Sequence, residues 1–343
     1  MSQFVNFDEI RAAQKRIEGT AVRTPLYRLE RARLEAANLP QPAFDIYIKA
    51  ESEQPIGSFK LRGAFNMVSQ LSPDELKRGV ITYSSGNHAQ GVAYAGRALG
   101  AKAVIVMPSN APEVKKAATR ALGAEIVEVG PASSERRIKA EELVAKHGYA
   151  MIPPYDAAEI IAGQATCGLE IVDQLPDVDL VIAPVSGGGL LSGVSTAVKL
   201  AAENGLAKPS VKVWGAEPAL AADAKESFET KRLVEWPAEK TTRTIGDGLR
   251  TQSLGELNFE HVLQYVDGIV AVSEDAIFAT LKVILTATKL VAEPSGAVAL
   301  AAALFHAKDL PKVSKVAVVL SGGNLEPALR ERLEIEMAAG QVI

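Results

Sequence analysis

A lysine stands between a strand-like and a helix-like stretch in Pro55-Ile56-Gly57-Ser58-Phe59-Lys60-Leu61-Arg62-Gly63. The residues before it, Asp45-Ile46-Tyr47-Ile48-Lys49, alternate as a strand does, and Leu61 to Leu71 carries apolar residues at helical spacing. Pro55 and Gly57 break the chain between the two and place Lys60 near a helix start. Partial burial and the positive end of a helix both disfavour an ammonium, so a lowered pKa is expected there. An amine of that kind can hold a carbonyl compound as a Schiff base. By itself the segment reads first as a solvated helix lysine.

Three glycine-bearing turns follow, each where a strand gives way to a helix or turn. Ser84-Ser85-Gly86-Asn87-His88 opens a helix, where several backbone N–H groups and two hydroxyls can converge on a carboxylate. Ser and Asn are also ordinary helix caps, so plain capping is the competing reading. Ser186-Gly187-Gly188-Gly189-Leu190 lets successive amides approach an oxyanion with no Cβ in the way. It has neither the spacing and lysine of a nucleoside-triphosphate loop nor the dinucleotide fingerprint with its acidic partner, and so suits a small phosphorylated cofactor. Ser321-Gly322-Gly323-Asn324 puts a hydroxyl at a strand end, where it can bond a buried heteroatom.

These turns need a frame, and the alternation of β-rich and Ala-rich stretches supplies one. Gly79–Tyr83, Ala103–Met107, Ile126–Val129 and Tyr149–Ile152 read as strands, separated by helices over 87–99, 112–122 and 134–145. A second series runs through Asp179–Pro184, a helix from Leu190, Val211–Gly215 and Lys315–Leu320. The expectation is an α/β protein with two open parallel sheets flanked by helices and a ligand cleft at the carboxyl ends of the strands.

Composition is that of an ordinary globular protein: 343 residues, 48% apolar, net charge −4 with the signs interspersed. That balance gives no electrostatic case for nucleic acid or an anionic membrane. Cys167, the single cysteine, excludes an internal disulfide and suits a core thiol. The first residues, Met1 to Glu9, lack the basic and apolar pattern of a secretory leader, and the apolar tract Pro294 to Ala307 is too short to span a bilayer. A cytoplasmic enzyme is the expectation.

Taken in order, the motifs resemble those of the fold type II pyridoxal-phosphate (PLP) enzymes, the tryptophan synthase β-like group, and within it the serine/threonine dehydratase and serine racemase family. The resemblance runs from about Phe7 to Pro327 and rests on Ser58–Gly63, Ser84–Gly91, Ile161–Thr166, Ala292–Ala297 and Ser321–Asn324. It implies that Lys60 carries the cofactor and then works as the base on Cα. It implies that Phe59 packs near the cofactor ring, that Asn87 partners the ring 3-hydroxyl, and that Gly187, Gly188, Gly189 and Leu190 cradle the phosphate. Ser186 stands where the family has a first glycine, and its hydroxyl either bonds the phosphate or crowds it. Ser84, Ser85, Gly86, Asn87 and His88 are implied to hold the substrate carboxylate, with His88 in a backbone role in preference to that of a general acid. Ser85 also matches the racemase residue on the opposite side of the substrate. Ser321 is implied to face the pyridine nitrogen; a serine supplies no full proton there, which makes the ring a weaker electron sink and favours elimination.

The resemblance further implies a cation site built from Glu217, Asp223 and the carbonyl of Ala221, suited to Mg²⁺, Mn²⁺ or Ca²⁺. Two acids favoured at a loop–helix start are the plain alternative. The implied domains are 1–71 with 155–343, which hold PLP, and a smaller mobile domain over 72–154; a homodimer is implied as well. The implied reaction is β-elimination from L-serine, L-threonine or 3-hydroxyaspartate to a 2-oxo acid and ammonia. A serine or aspartate racemase is the alternative within PLP chemistry, and a nucleotide-dependent oxidoreductase or a non-catalytic binder the alternative outside it. A second substrate carboxylate needs a cation, for which Arg62, Arg137 and Arg243 are available.

Overall fold

The computed structural model describes residues 4–36, 38–130 and 133–339. Met1 to Gln3, the start of the segment read as lacking a leader, lie outside the described residues. The strands are β1 (Leu26–Arg28), β2 (Asp45–Ala50), β3 (Val80–Thr82), β4 (Ala103–Pro108), β5 (Glu125–Val129), β6 (Ala150–Met151), β7 (Leu180–Pro184), β8 (Lys212–Pro218), β9 (Gly268–Val272) and β10 (Lys315–Leu320). They form a six-stranded sheet in the order β1-β2-β10-β7-β8-β9 and a four-stranded sheet in the order β5-β4-β3-β6. Every pairing is parallel except β1 with β2. The expected class, two open α/β sheets flanked by helices, is what the chain adopts. β1 and β9 were not expected, and β2, the strand leading to Lys60, joins the larger sheet.

Burial of both faces explains why the larger sheet is parallel and apolar. Along β10, Val316, Val318 and Leu320 enter one core, while Ala317 and Val319 enter the other, as the two-residue period of a strand dictates. Helices Glu274–Ala287 and Pro294–Phe305 pack into the first core, and Ala158–Gln174 and Gly189–Glu203 into the second. The apolar tract from Pro294 is thus a buried core helix. Among the described residues no helix is long and apolar enough to cross a membrane. Cys167 is buried on helix Ala158–Gln174.

The helix after Lys60 is shorter than its apolar spacing suggests. It runs Lys60–Val68, because Ser72 starts a separate helix, Pro73–Arg78, through a capping box with Glu75. Leu61, Ala64, Phe65 and Val68 share a core with Val80 of the smaller sheet, with Ala89 and Val92 of helix Asn87–Ala98 and with Ile160. The lysine therefore sits where the two sheets meet.

Strand order brings the motifs together. β2, β10 and β7 are adjacent and parallel, so the loops leaving their carboxyl ends lie side by side. The Phe59 N–H donates to the Ser321 carbonyl (3.1 Å) and the Gly323 N–H to the Gly57 carbonyl (2.9 Å). The Ser84–Asn87 turn, leaving β3 of the smaller sheet, faces them.

Candidate active site

Lys60 Nζ donates to the Pro154 carbonyl at 2.6 Å. Burial, with no compensating anion, pulls its pKa down to about 8. Desolvation is therefore the cause; the expected help from the helix end is not needed to account for it. The Phe59 ring lies beside the amine, its centroid 5.2 Å from Nζ.

The helix opened by the Ser84–His88 turn, Asn87–Ala98, has no side-chain cap. Its first amides thus remain available to a ligand, the arrangement that plain capping would have removed. The Gly86 N–H lies 3.4 Å from Ser84 Oγ, and a Cβ at Gly86 would project into open space. His88 is buried, and its Nε2 sits 2.9 Å from the Ile152 carbonyl. A carbonyl only accepts, so that nitrogen carries the proton. Burial, with Lys60 adding to it, depresses the His88 pKa to about 3. The imidazole is thus held neutral, with its one N–H committed to the backbone. The Asn87 carboxamide donates to Glu293 Oε1 (2.5 Å) and accepts from Asn324 Nδ2 (2.7 Å).

The triglycine turn forms a second uncapped helix start, that of Gly189–Glu203. Gly188 has φ +102°, a conformation that side chains resist. Leu190 is buried one residue into the helix and anchors it. The Tyr155 ring lies against the turn: a Cβ added at Gly187 would come within 2.4 Å of it. Burial pushes the Tyr155 phenol up to about 12, so it stays neutral. Ser186 Oγ is 2.6 Å from Thr251 Oγ1 and accepts from the Thr251 N–H at 3.3 Å. Its hydroxyl ties the turn to the segment around Thr251. Ser321 is buried at the end of β10, next in the sheet to the strand that leads to Lys60. N–H donors, a helix end and a desolvated amine are a donor set that fits an anionic aldehyde such as PLP.

A cleft of about 210 Å³ opens beside these groups, lined by Gly86, Asn87, Lys115, Asp247, Glu293 and Asn324 among others. Lys115 reaches across it, 2.5 Å from Asp247 Oδ2 and 3.3 Å from Glu326 Oε1. The three arginines considered for a second substrate carboxylate lie elsewhere. Arg62 is wholly buried between Glu51 and Glu170. Arg137 is exposed and paired with Glu141, and Arg243 bonds the Lys240 carbonyl on the surface.

Glu217 and Asp223 are both buried. Glu217 accepts from the Ala224 and Lys225 N–H groups (3.0 and 2.9 Å), while Asp223 Oδ2 is buried without a partner. Burial and then the Asp223 charge raise the Glu217 pKa; burial raises that of Asp223 to about 7. Among the described residues no cluster of three or more His, Cys, Asp or Glu side chains could hold a metal. The orphaned Asp223 oxygen beside the buried Glu217 fits the implied pair of carboxylates with a backbone carbonyl.

Four neighbours of the site were not singled out from sequence. Glu293 and Asn324 stand inside the motifs Ala292–Ala297 and Ser321–Asn324, whose sequence alone assigns them no role. Tyr155 and Thr251 carry no local signal.

The family model described as pyridoxal-phosphate dependent enzyme matches residues 17–322. The L-threo-3-hydroxyaspartate ammonia-lyase of Saccharomyces cerevisiae is 38% identical over 281 residues, 82% of this chain and 83% of the yeast protein. The L-threonine ammonia-lyase of Thermotoga maritima is 39% identical over 333 residues, 96% of this chain and 78% of that protein. Among solved structures, serine racemase from Dictyostelium discoideum matches with a TM-score of 0.84 at 35% identity, covering 95% of this chain and 100% of that one. The chain belongs to the pyridoxal-phosphate-dependent enzymes of fold type II, in the branch of the serine/threonine dehydratases and serine racemases.

Proposed function

We propose that the protein is a PLP-dependent ammonia-lyase that converts a 3-hydroxy amino acid to a 2-oxo acid and ammonia by β-elimination. The observation that carries this reading is the desolvated Lys60 amine, held on the Pro154 carbonyl beside Tyr155, whose ring lies against one uncapped helix N-terminus, while a second uncapped N-terminus lines the neighbouring cleft. One helix start suits a substrate carboxylate and the other a phosphate. When bound, the cofactor supplies an aldehyde that condenses with amines and a conjugated ring that accepts electrons from Cα. Lys60 holds the cofactor and then takes the Cα proton on Nζ, which its lowered pKa leaves free to accept it. The amides of the Ser84–His88 turn hold the substrate carboxylate, and those of Gly187, Gly188 and Gly189 hold the phosphate. Ser321, a buried neutral hydroxyl at the end of β10, would be the partner of the ring nitrogen; it gives no full proton and so would favour prompt loss of the β-hydroxyl. Cα–H and Cβ–OH leave together as water. The released enamine becomes an imine, and one water returns to hydrolyse it to the 2-oxo acid and ammonia.

L-Serine, L-threonine and 3-hydroxyaspartate are the substrates in this reading. Lys115, the cation described in the cleft, is already paired with Asp247 and Glu326. That pairing favours the monocarboxylates, because a second carboxylate would have to displace one of those acids. Alanine, which has no β-leaving group, is expected to yield no 2-oxo acid; 2-oxo acid from alanine would speak for a different reaction. Racemisation is the second reading, favoured by Ser85 and by the likeness to the Dictyostelium racemase. Chiral analysis of recovered serine separates it from elimination.

With its amine pKa near 8 in place of the usual 10.5, Lys60 should take up PLP in a pH-dependent way. The uncharged fraction rises about tenfold per pH unit below pH 8 and levels off above it. The rate of cofactor uptake by apoprotein, followed by visible absorbance, should do the same. A rate still climbing steeply at pH 10 would contradict a desolvated Lys60.

Glu217, Asp223 and the Ala221 carbonyl form the cation site in this reading, since a divalent ion would relieve two buried acids that burial disfavours. Millimolar Mg²⁺ or Mn²⁺ should raise Tm by about 2 °C or more over the chelator-treated protein, and Asp223→Asn should abolish the difference. Equal Tm with metal and with chelator would end the assignment. Residues 1–71 and 155–343 act here as the cofactor-holding domain and 72–154 as a smaller domain that moves against it. The Lys115 ion pairs and the Asn87 bonds to Glu293 and Asn324 both cross that boundary. A cytoplasmic homodimer completes the proposal; light scattering and cell fractionation test those two parts.

A further inference from the structure

Ala292-Glu293-Pro294-Ser295-Gly296-Ala297 is the motif left without a role, and the structure gives it one. Glu293 precedes helix Pro294–Phe305 but does not cap it with its side chain. Its N–H donates to the Gly322 carbonyl (3.1 Å), and its own carbonyl receives the Gly296 and Ala297 N–H groups (2.9 and 3.2 Å). The backbone is thus fixed, and the buried carboxylate accepts from Asn87 Nδ2 at 2.5 Å. On the other side, Asn324 Nδ2 donates to Asn87 Oδ1 (2.7 Å) and to the Ile56 carbonyl (3.0 Å). Gly322 lies beneath this clamp: a Cβ there would stand 2.2 Å from Glu293 Oε1 and 3.2 Å from Asn87 Nδ2. Residues from three separate motifs therefore meet around one carboxamide.

A carboxamide offers one oxygen and two N–H groups. Here the oxygen and one N–H are taken, and a flipped amide would set oxygen against carboxylate and N–H against N–H. One orientation remains, with one N–H to present. Burying a carboxylate is costly without a strong partner, and burial does push Glu293 up to about 7, with Asp247 and Glu326 adding to the rise and Asn87 and Lys115 opposing it.

We propose that Glu293 is a positioning residue that, with Asn324, locks the Asn87 carboxamide so that its free N–H meets the ring oxygen of the cofactor. This rests on the reading of Asn87 as a cofactor partner. The test uses PLP affinity and the visible absorption spectrum of holoprotein in Asn87→Ala, Glu293→Leu, Glu293→Gln, Asn324→Ala and the Asn87→Ala/Glu293→Leu double variant. Asn87→Ala should weaken PLP retention about tenfold and shift the absorption band. Glu293→Leu should reproduce both effects, and the double variant should add less than about twofold to Asn87→Ala. Glu293→Gln still offers an oxygen and should stay within about twofold of the parent. Asn324→Ala loosens the same carboxamide from its other side and reads the same quantities if Glu293→Leu does not fold. Unchanged spectra and affinity in Glu293→Leu and Asn324→Ala, beside a clear Asn87→Ala effect, would overturn the proposal alone. No effect in Asn87→Ala would overturn the underlying reading and the proposal with it. Additive effects in the double variant would mean that Glu293 acts by another route.

Discussion

Lys60→Ala should abolish turnover and, with it, the Schiff-base absorbance of the cofactor-loaded protein. In the proposed reading the amine is both the covalent anchor and the base at Cα, so one substitution removes two functions. Loss of a positioned general base alone costs about 10²- to 10⁴-fold, and activity should fall at least that far. Lys60→Arg should fail equally, since a guanidinium neither condenses with an aldehyde nor accepts a proton near neutral pH. PLP should still bind weakly, held by the triglycine amides, and absorb as the free aldehyde does. A Lys60→Ala protein that kept both colour and turnover would end the assignment of this residue.

Arg62→Met should destabilise the protein by about 3–5 kcal/mol, the cost of breaking a buried ion pair from one side. Arg62 is fully buried, with Nε and Nη2 on Glu51 (2.7 and 2.8 Å) and Nη1 and Nη2 on Glu170 (2.7 and 2.8 Å). Lys49 completes the set, 2.6 Å from Glu170, and Thr24 donates to Glu51 at 2.6 Å. Burial alone would raise the Glu51 pKa, but Arg62 and Lys49 outweigh it and hold the carboxyl below its usual value. A depressed carboxylate pKa stabilises the fold above the unfolded pKa and is lost as pH falls through the folded one. Parent stability should therefore decline at acid pH below the ordinary carboxylate range, and Arg62→Met should weaken that dependence. Urea unfolding of the apoprotein measures both; a loss under about 1 kcal/mol would show the network to be poorly formed. Because Arg62 lies two residues after Lys60 on one helix, the same variant should also weaken PLP retention.

These two neighbours mark what could be read in the sequence and what could not. The Lys60 turn was legible because its signals are local: an alternating strand, a Pro and Gly break, then helical spacing. The glycine turns were legible for the same reason, and a ligand cleft at the carboxyl ends of the strands is what a parallel sheet implies for them. The order β2-β10-β7 was not, since it joins segments far apart in the chain. Arg62 looked like a free cation because its partner Glu170 lies on a distant helix. Glu293 stood inside a quoted motif, yet its value lies in its contact with Asn87, 206 positions away. Tyr155 reaches the triglycine turn through a crossover that no local pattern reports. β1, of three residues, and β9 were passed over, the first for want of length.

Elimination is tested most directly by following ammonia and 2-oxo acid together. Purified holoprotein would be given L-serine, L-threonine and L-threo-3-hydroxyaspartate in turn. The expected result is equimolar ammonia and 2-oxo acid from at least one of them, at a rate lost in Lys60→Ala. Holoprotein with full visible absorbance that releases neither product from any of the three, or returns only the opposite enantiomer, would contradict it.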